Sequence, residues 1–343
     1  MRIPFLFVIC LTFLWVKPSL SYTLKIATLS PEGSFWMKTM RSASKQIAES
    51  TDNRVRFRFY PGGVMGNDKA VLKKIRIGQL QGAAFSGGAL STLVPDTQIY
   101  NLPRLFNSYA EVDFVRQTMD KILMQDFEQK GWVNFGLAEG GFAYMMSKDP
   151  INTLADLQQH KVWAPNDDPT AMAAAKTMQI TPVPLSLGDV LASLQTELVD
   201  TVFASPIAAI ALQWHTQVNY VTDMPLVYFY GLLAINDKAF NKISKNDQII
   251  VRKIMSEAFV QIDKQNRKDN EAAFLALQKQ GIQLIKPPIK AVNEWNQKTT
   301  LTNQQLIQSG AVSQTIFNQT QQLINHFRKN ATVKKDQSVS KLH

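Results

Sequence analysis

The most restrictive feature of this sequence is an alternation of two hydrophobic periods near its start. Residues 24–28 (LKIAT) form a short apolar run, and behind Ser34, a candidate N-cap, Trp36, Met40, Ala43 and Ile47 recur at three- and four-residue spacing. Residues 54–60 (RVRFRFY) then alternate strictly, with Val55, Phe57 and Phe59 on one face. A second helical stripe (Val71, Leu72, Ile75, Ile77) ends at Gly78, and residues 81–90 (QGAAFSGGAL) run from a strand into a glycine-rich loop. A period of 2 belongs to strands and one of 3.6 to helices. The order is therefore β-α-β-α-β with short connections, which predicts an α/β domain of mostly parallel strands. Ligands of such sheets bind in the crevice beyond the carboxyl ends of the strands. Loops 29–33, 63–67 and 86–88 fall there.

Val112, Val115, Met119, Ile122 and Leu123 mark another amphipathic helix, and residues 132–139 (WVNFGLAE) a strand leading out of the first domain. Between residues 138 and 206 turn-rich joints (Gly140 and Gly141, Asp149 and Pro150, Pro165, Pro182 and Pro184) separate short apolar runs. Such a stretch suits strands and helices whose loops line a cleft. It reads as a helix over 154–160, a strand over 161–164, a helix over 170–178 and strands over 183–185 and 199–204. Residues 226–236 (LVYFYGLLAIN) are one apolar run, long enough for a strand crossing back between domains. Residues 244–279 read as helix, with Ile250, Ile254, Ala258, Ile262, Ala272 and Leu275 as the buried stripe. Later helices carry Trp295 and then Ile316, Leu323, Ile324 and Phe327.

Residues 1–21 have the pattern of a secretory signal peptide. Arg2 is the positive region, residues 3–16 are apolar, and Pro18 precedes the small residues Ser19 and Ser21. The apolar run falls short of the roughly 20 residues that a bilayer span needs, so the expected product is exported to the periplasm. Cys10, the single cysteine, lies in that segment, which leaves the rest without disulfide or thiol chemistry. About 322 residues follow, more than one compact core usually takes. The expected division is a first lobe of residues 22–140 plus 226–265, a second of 141–225 plus 266–328, and a basic tail, 329–343. Part of the formal net charge of +10 sits near that tail, where Arg328, Lys329, Lys334, Lys335 and Lys341 face only Asp336. The tail has little to bury and is expected to be disordered. Elsewhere basic residues are dispersed, with no basic groove interleaved with stacking aromatics, so nucleic acid is not an expected partner.

Catalytic constellations are missing. His160, His215, His326 and His343 share no metal-ligand spacing, and no G-x-S-x-G, H-E-x-x-H or Walker loop occurs. Gly62, Gly63 and Gly66 read as a turn, since no lysine and hydroxyl follow in the places a phosphate loop requires. Asp167 and Asp168 lack a third acidic ligand at a supporting spacing and read as helix caps. Neither an enzyme nor a cofactor or metal is expected.

Four segments carry a resemblance: FYPGGVMGNDKAVLKKIRIGQL (59–80), YNLPRLFNSYAEV (100–112), INTLADLQQHKVWAP (151–165) and TPVPLSLGDVLASLQTELVD (181–200). In this order and spacing the chain resembles the substrate-binding subunit of tripartite ATP-independent periplasmic (TRAP) transporters, the dicarboxylate-receptor-like family, from residue 24 to about 279. The resemblance implies two α/β lobes, strands crossing between them, one long bridging helix, and hinge closure on a small molecule. It also implies delivery of that molecule to membrane permease subunits.

The departures are as informative. Where the family's K-x-R-x-P segment supplies a carboxylate-clamping arginine, this chain has Trp163 within Lys161-Val-Trp-Ala-Pro165. The arginine of an earlier G-x-R is Ala143, and the glutamate and asparagine of a later run are Phe203 and Ala204. Tryptophan and alanine cannot replace a guanidinium–carboxylate pair. The expected ligand is therefore apolar or uncharged, with Trp163, Phe203, Phe142, Leu187 and Trp214 giving apolar contact beside Gly87, and Asn67 and Ser86 giving hydrogen bonds. Three alternatives stay open: a carboxylate receptor whose anchor has shifted to Arg104 or Lys161, a cationic or zwitterionic ligand held by the aromatics, and an interaction module with a vestigial cleft that docks another periplasmic protein.

Overall fold

The computed structural model describes residues 21–166 and 168–340, so the signal-peptide segment with Cys10, and Asp167, lie outside the described residues. The opening alternation folds as expected: β1 (Tyr22–Ala27), α1 (Phe35–Ser50), β2 (Val55–Tyr60), α2 (Asp68–Arg76) and β3 (Gly82–Ser86). β1 lies between β2 and β3, parallel to both. Ser34 and Asn67 cap α1 and α2 through their side-chain oxygens. The glycine-rich loop after β3 is instead a helical turn, α3 (Gly87–Ser91), followed by α4 (Tyr109–Gln129). The strand expected over 132–139 is two strands, β4 (Trp132–Val133) and β5 (Ala138–Ser147). Gly136 separates them with a φ of 129°, a conformation that favours glycine.

The next segment holds α5 (Leu154–Leu157), β6 (Trp163–Pro165), α6 (Pro169–Thr177), β7 (Val183–Leu185), α7 (Val190–Gln195), β8 (Thr201–Ala204), α8 (Pro206–Ala211) and β9 (Tyr220–Thr222). β10 (Val227–Asn236) and α9 (Asp237–Phe240) return the chain, and α10 (Lys245–Lys279) is a single helix of 35 residues. β11 (Gln283–Ile285), α11 (Ile289–Gln308) and α12 (Gln314–Ser340) complete it.

The strands form a path β11-β9-β5-β10-β3-β1-β2, with β4 on β10 and β8 on β5, and β6 and β7 make a separate parallel pair. The sheet is mixed rather than mostly parallel. β10 runs antiparallel to β3, β4 and β5, and β5 runs antiparallel to β8 and β9. The reason is geometric: two ten-residue strands pass between the lobes in opposite directions, so each meets its neighbours head to tail.

α10 bridges the lobes. Its first half packs Val251, Met255 and Phe259 with Met40 and Phe57 of the first lobe, and its end places Leu277 with Val221 of the second. The expected stripe holds at Ala258 and Ile262 but not at the end, where Ala273 and Leu277 are buried and Leu275 is exposed. The C-terminal helices also correct the expected division. α11 gives Trp295 to the second lobe's core and Leu306 to the first, and α12 places Ile316 and Ile324 in the first lobe's core. Where a disordered tail was expected from residue 329, α12 continues to Ser340. No proline or glycine interrupts it.

Where β5 leaves the first lobe, Glu139 is completely buried. Its carboxylate accepts from Arg267 of α10, Nε to Oε1 at 3.0 Å and Nη2 to Oε2, and from the Tyr228 hydroxyl of β10 at 3.0 Å. Arg267 also holds Asp113 of α4 at 2.7 and 2.8 Å. One turn earlier on α10, Asp263 accepts the Glu139 backbone N–H at 2.7 Å and Arg116 Nη1 at 2.9 Å. Burial alone would lower the Arg267 guanidinium, but its bonds to Glu139 and Asp113 outweigh that and raise it. Breaking one partner of a buried ion pair leaves an uncompensated charge and costs about 3–5 kcal/mol. Arg267→Met should therefore lower the unfolding free energy in urea by about that amount. Adding Glu139→Gln should recover part of the loss, because the orphaned charge is gone.

Candidate functional site

The loops that follow β1 and β2 meet beside Ala83 and Ala84 of β3, and residues 86–88 are not among those that line the crevice between them. They flank a narrow, solvent-open crevice with space for about one water molecule, lined by Thr28, Leu29, Gly63, Met65 and Ala84 among others. The turn after β2 holds it in shape: Gly63 N–H donates to the Thr28 carbonyl at 3.1 Å and Gly62 N–H to Ser30 at 3.0 Å. Asn67 stands at its edge, but its Oδ1 accepts the Ala70 N–H at 3.0 Å and so caps α2. Ser86 and Gly87 follow Ala84 at the end of β3, with Gly87 buried beside Asn101.

In the second lobe the structure gathers Trp163, Ala204, Trp214 and Leu187 into one apolar cluster. Trp163 donates its indole N–H to the Leu185 carbonyl at 3.2 Å, next to the β6–β7 ladder. Its ring meets Trp214 edge-on, with centroids 5.1 Å apart and planes at 77°, a favourable arrangement for aromatic quadrupoles. The two indoles are only 5% and 2% exposed. Trp163 is thus packed as core, with its one polar atom already engaged. Phe142 lies elsewhere, in the first lobe's core, 4.9 Å from Tyr109 and 5.5 Å from Tyr228 by ring centroid. Ala143 is fully buried on β5 opposite Val227, and half-buried Phe203 pairs with Met145 and packs against the cluster of Trp295. The ten sequence-predicted site residues are therefore distributed over three cores and a loop rim rather than over one open pocket. Facing strands supply apolar partners for these side chains, and periodicity alone does not separate a cleft wall from a core.

The shifted anchors are engaged elsewhere. Arg104 donates to the Pro225 carbonyl at 2.8 Å and to Asn296 Oδ1 at 3.1 Å, and burial lowers its guanidinium. Lys161 reaches the Glu197 carbonyl at 3.0 Å on the surface. The buried guanidinium of Arg116 is held by Asp120 and Asp263. His160 pairs with Asp200 at 3.0 Å and His215 Nδ1 lies 3.2 Å from the Ala209 carbonyl, both within the second lobe. No group of three metal-ligating side chains occurs among the described residues.

Sequence reasoning passed over two features. Tyr144, beside Ala143, is half-buried and touches the cores of both lobes, with its ring 5.2 Å from Phe274. Its hydroxyl makes no hydrogen bond among the described residues, and burial, with the Asp223 carboxylate nearby, raises its pKa. A tyrosine in an apolar strand gives no signal of that position. The second is the seam between α3 and α6, where Asp168 caps α6 by accepting from Thr170 and Ala171 N–H at 2.9 and 3.1 Å. The cap was legible, but the lobe that it faces was not.

Comparison with known proteins agrees with this architecture. The family profile of the bacterial extracellular solute-binding proteins, family 7 (DctP), matches residues 26–309. A solute-binding protein of Verminephrobacter eiseniae is 25% identical over 253 residues, covering 73% of this chain and 72% of its own. The sialic acid-binding periplasmic protein SiaP of Vibrio cholerae is 22% identical over 281 residues, covering 79% and 85%. Among solved structures, a TRAP periplasmic solute-binding protein of Xanthobacter autotrophicus with bound β-D-galacturonate superposes with a TM-score of 0.80 at 17% identity, covering 88% of this chain and 99% of that one. The Bordetella pertussis receptor DctP7, which binds pyroglutamic acid, gives 0.80 at 16% identity, covering 89% and 100%. With the profile spanning most of the sequence and both lobes reproduced, the chain belongs to family 7 of the bacterial extracellular solute-binding proteins, the periplasmic substrate receptors of TRAP transporters.

Proposed function

We propose that this receptor captures a small, largely apolar molecule that carries no carboxylate, and passes it to the permease subunits of its transporter. One observation carries the reading. The positions at which the family resemblance places polar anchors are Ala143, Trp163 and Ala204, all buried, and Arg104, Arg116 and Arg267 are engaged by protein acceptors. The sialic acid and uronates of the related proteins bear a carboxylate. Burying one here without a cation would cost several kcal/mol. Leu29, Met65 and Ala84 offer apolar wall instead, and Thr28 a hydroxyl. A second reading, a module that docks another periplasmic protein, draws on the Trp163–Trp214 packing that fills the second lobe's side.

Mass spectrometry of the molecule released from purified protein should find a compound without a carboxylate; a recovered carboxylic acid would sink the proposal. A thermal-shift panel of lipids, sterols, betaines and carboxylates separates the two readings, since a ligand of the native state raises the melting temperature. A rise with an apolar compound supports the receptor, and a flat response across the panel favours the docking module. Because Trp163 packs as core, Trp163→Ala should destabilise the fold by about 3–5 kcal/mol in urea. A loss of ligand affinity with unchanged stability would instead make the indole a ligand contact. Export is tested by N-terminal sequencing of the secreted protein, which should begin at Tyr22.

A further inference from the structure

Among the contacts between the two lobes, the closest packing lies at the seam between α3 and α6. Gly88 of α3 belongs to the first lobe, and Asp168, at the start of α6, to the second. A Cβ added at Gly88 would lie 3.0 Å from Asp168 Cβ and 3.1 Å from its Cα and Cγ. Crowding against a backbone carbon is not relieved by turning a side chain, so a side chain at this position would press the two segments apart by a few tenths of an ångström. Gly88 does not have a positive φ, unlike its neighbour Gly87 at 35°. Its backbone conformation therefore does not require glycine, and it is the close approach of Asp168 that disfavours a side chain there.

Beside this contact, Thr170 of α6 donates its hydroxyl to Gln98 Oε1 of the first lobe at 3.0 Å, and Asn101 Nδ2 donates to the same oxygen at 3.2 Å. Gln98 and Thr170 are 1% and 4% exposed. Opening the lobes would hydrate both groups, and closing them exchanges that water for the bond between them. Ala173, one turn along α6, packs against the first lobe's core. Burial raises the Asp168 carboxyl while the capping N–H groups of Ala171 and Thr170 oppose the rise, as fits a dry seam.

We infer that Gly88 and the Gln98–Thr170 pair form a latch that holds the lobes closed through contacts of the chain itself, so that closure does not depend on an anionic ligand bridging them. The inference rests on the receptor reading for its purpose, but not for its geometry. A ligand shifts the open–closed equilibrium only by its differential affinity for the two states, and contacts of the chain itself add to that bias whatever the ligand's charge.

The test uses protein stripped of bound molecules by unfolding, washing and refolding, with its shape measured by small-angle X-ray scattering. The wild type should be compact without any added ligand. Gly88→Val should shift the radius of gyration upward, and Thr170→Val or Gln98→Leu should lower the closed-to-open ratio about fivefold, the loss of one hydrogen bond. Circular dichroism and melting curves check that each variant is folded. Thr170→Val, which is nearly isosteric, carries the test if Gly88→Val fails to fold. A stripped wild type that is already open, or folded variants as compact as the wild type, would overturn the latch. Recovery of an apolar molecule by mass spectrometry bears on the receptor reading alone, so either idea can fail while the other stands.

Discussion

A fully buried carboxylate sets the geometry on which the rest of this molecule depends. Glu139 sits where β5 leaves the first lobe, and such a charge persists in the interior only when cations and donors converge on it. α10 brings Arg267 and Asp263, α4 brings Asp113 and Arg116, and β10 brings Tyr228. Helix, strands and lobe are thereby held in one register. One turn beyond Arg267, Asn270 extends the grip: its amide donates to the Gly140 carbonyl at 3.1 Å and accepts the Ile207 N–H at 3.2 Å. Gly141 makes room for it, since a Cβ there would lie 2.4 Å from Asn270 Nδ2. The bridging helix therefore fastens both lobes at the hinge by directional bonds.

The cleft follows a different logic from the hinge. Charge is concentrated at the hinge and removed from the positions that the family resemblance marks for anchors. Trp163 illustrates the exchange. An arginine there would need an anionic partner, whereas the indole needs apolar neighbours and one carbonyl, and finds them in Trp214, Ala204 and Leu185.

Much of the fold was legible because local periods and caps agree with tertiary burial over long stretches. Ser34 and Asp168 cap α1 and α6 as the sequence indicated, whereas Asn67, read there as a ligand contact, caps α2. Errors arose where distant partners decide the outcome. The single strand read over 132–139 breaks at Gly136, and the stripe on α10 rotates near Leu275 because β9 and β11, rather than α1, receive its end. Order and spacing offered candidate site positions, but not the environment in which each side chain packs. Whether a tryptophan lines a cleft or a core depends on which strand faces it, and that is set by residues 20 to 50 positions away. Gln98 and Gly88 carried no signal at all, since their meaning lies in α6.

The insertion of β10 between β3 and β5 has a consequence for how the chain acquires this shape. Leu232 pairs with Phe85 and Tyr228 with Phe142, across long separations in sequence, and α12 closes the first lobe only with Ile316 and Ile324. Contacts between distant residues are formed late, because the loops that they close must first lose their freedom. During synthesis the first lobe consequently stays incomplete, with the edge of β3 unpaired, until the second lobe has been made. A chain wired in this way cannot settle its N-terminal half early, and its two lobes have to mature together.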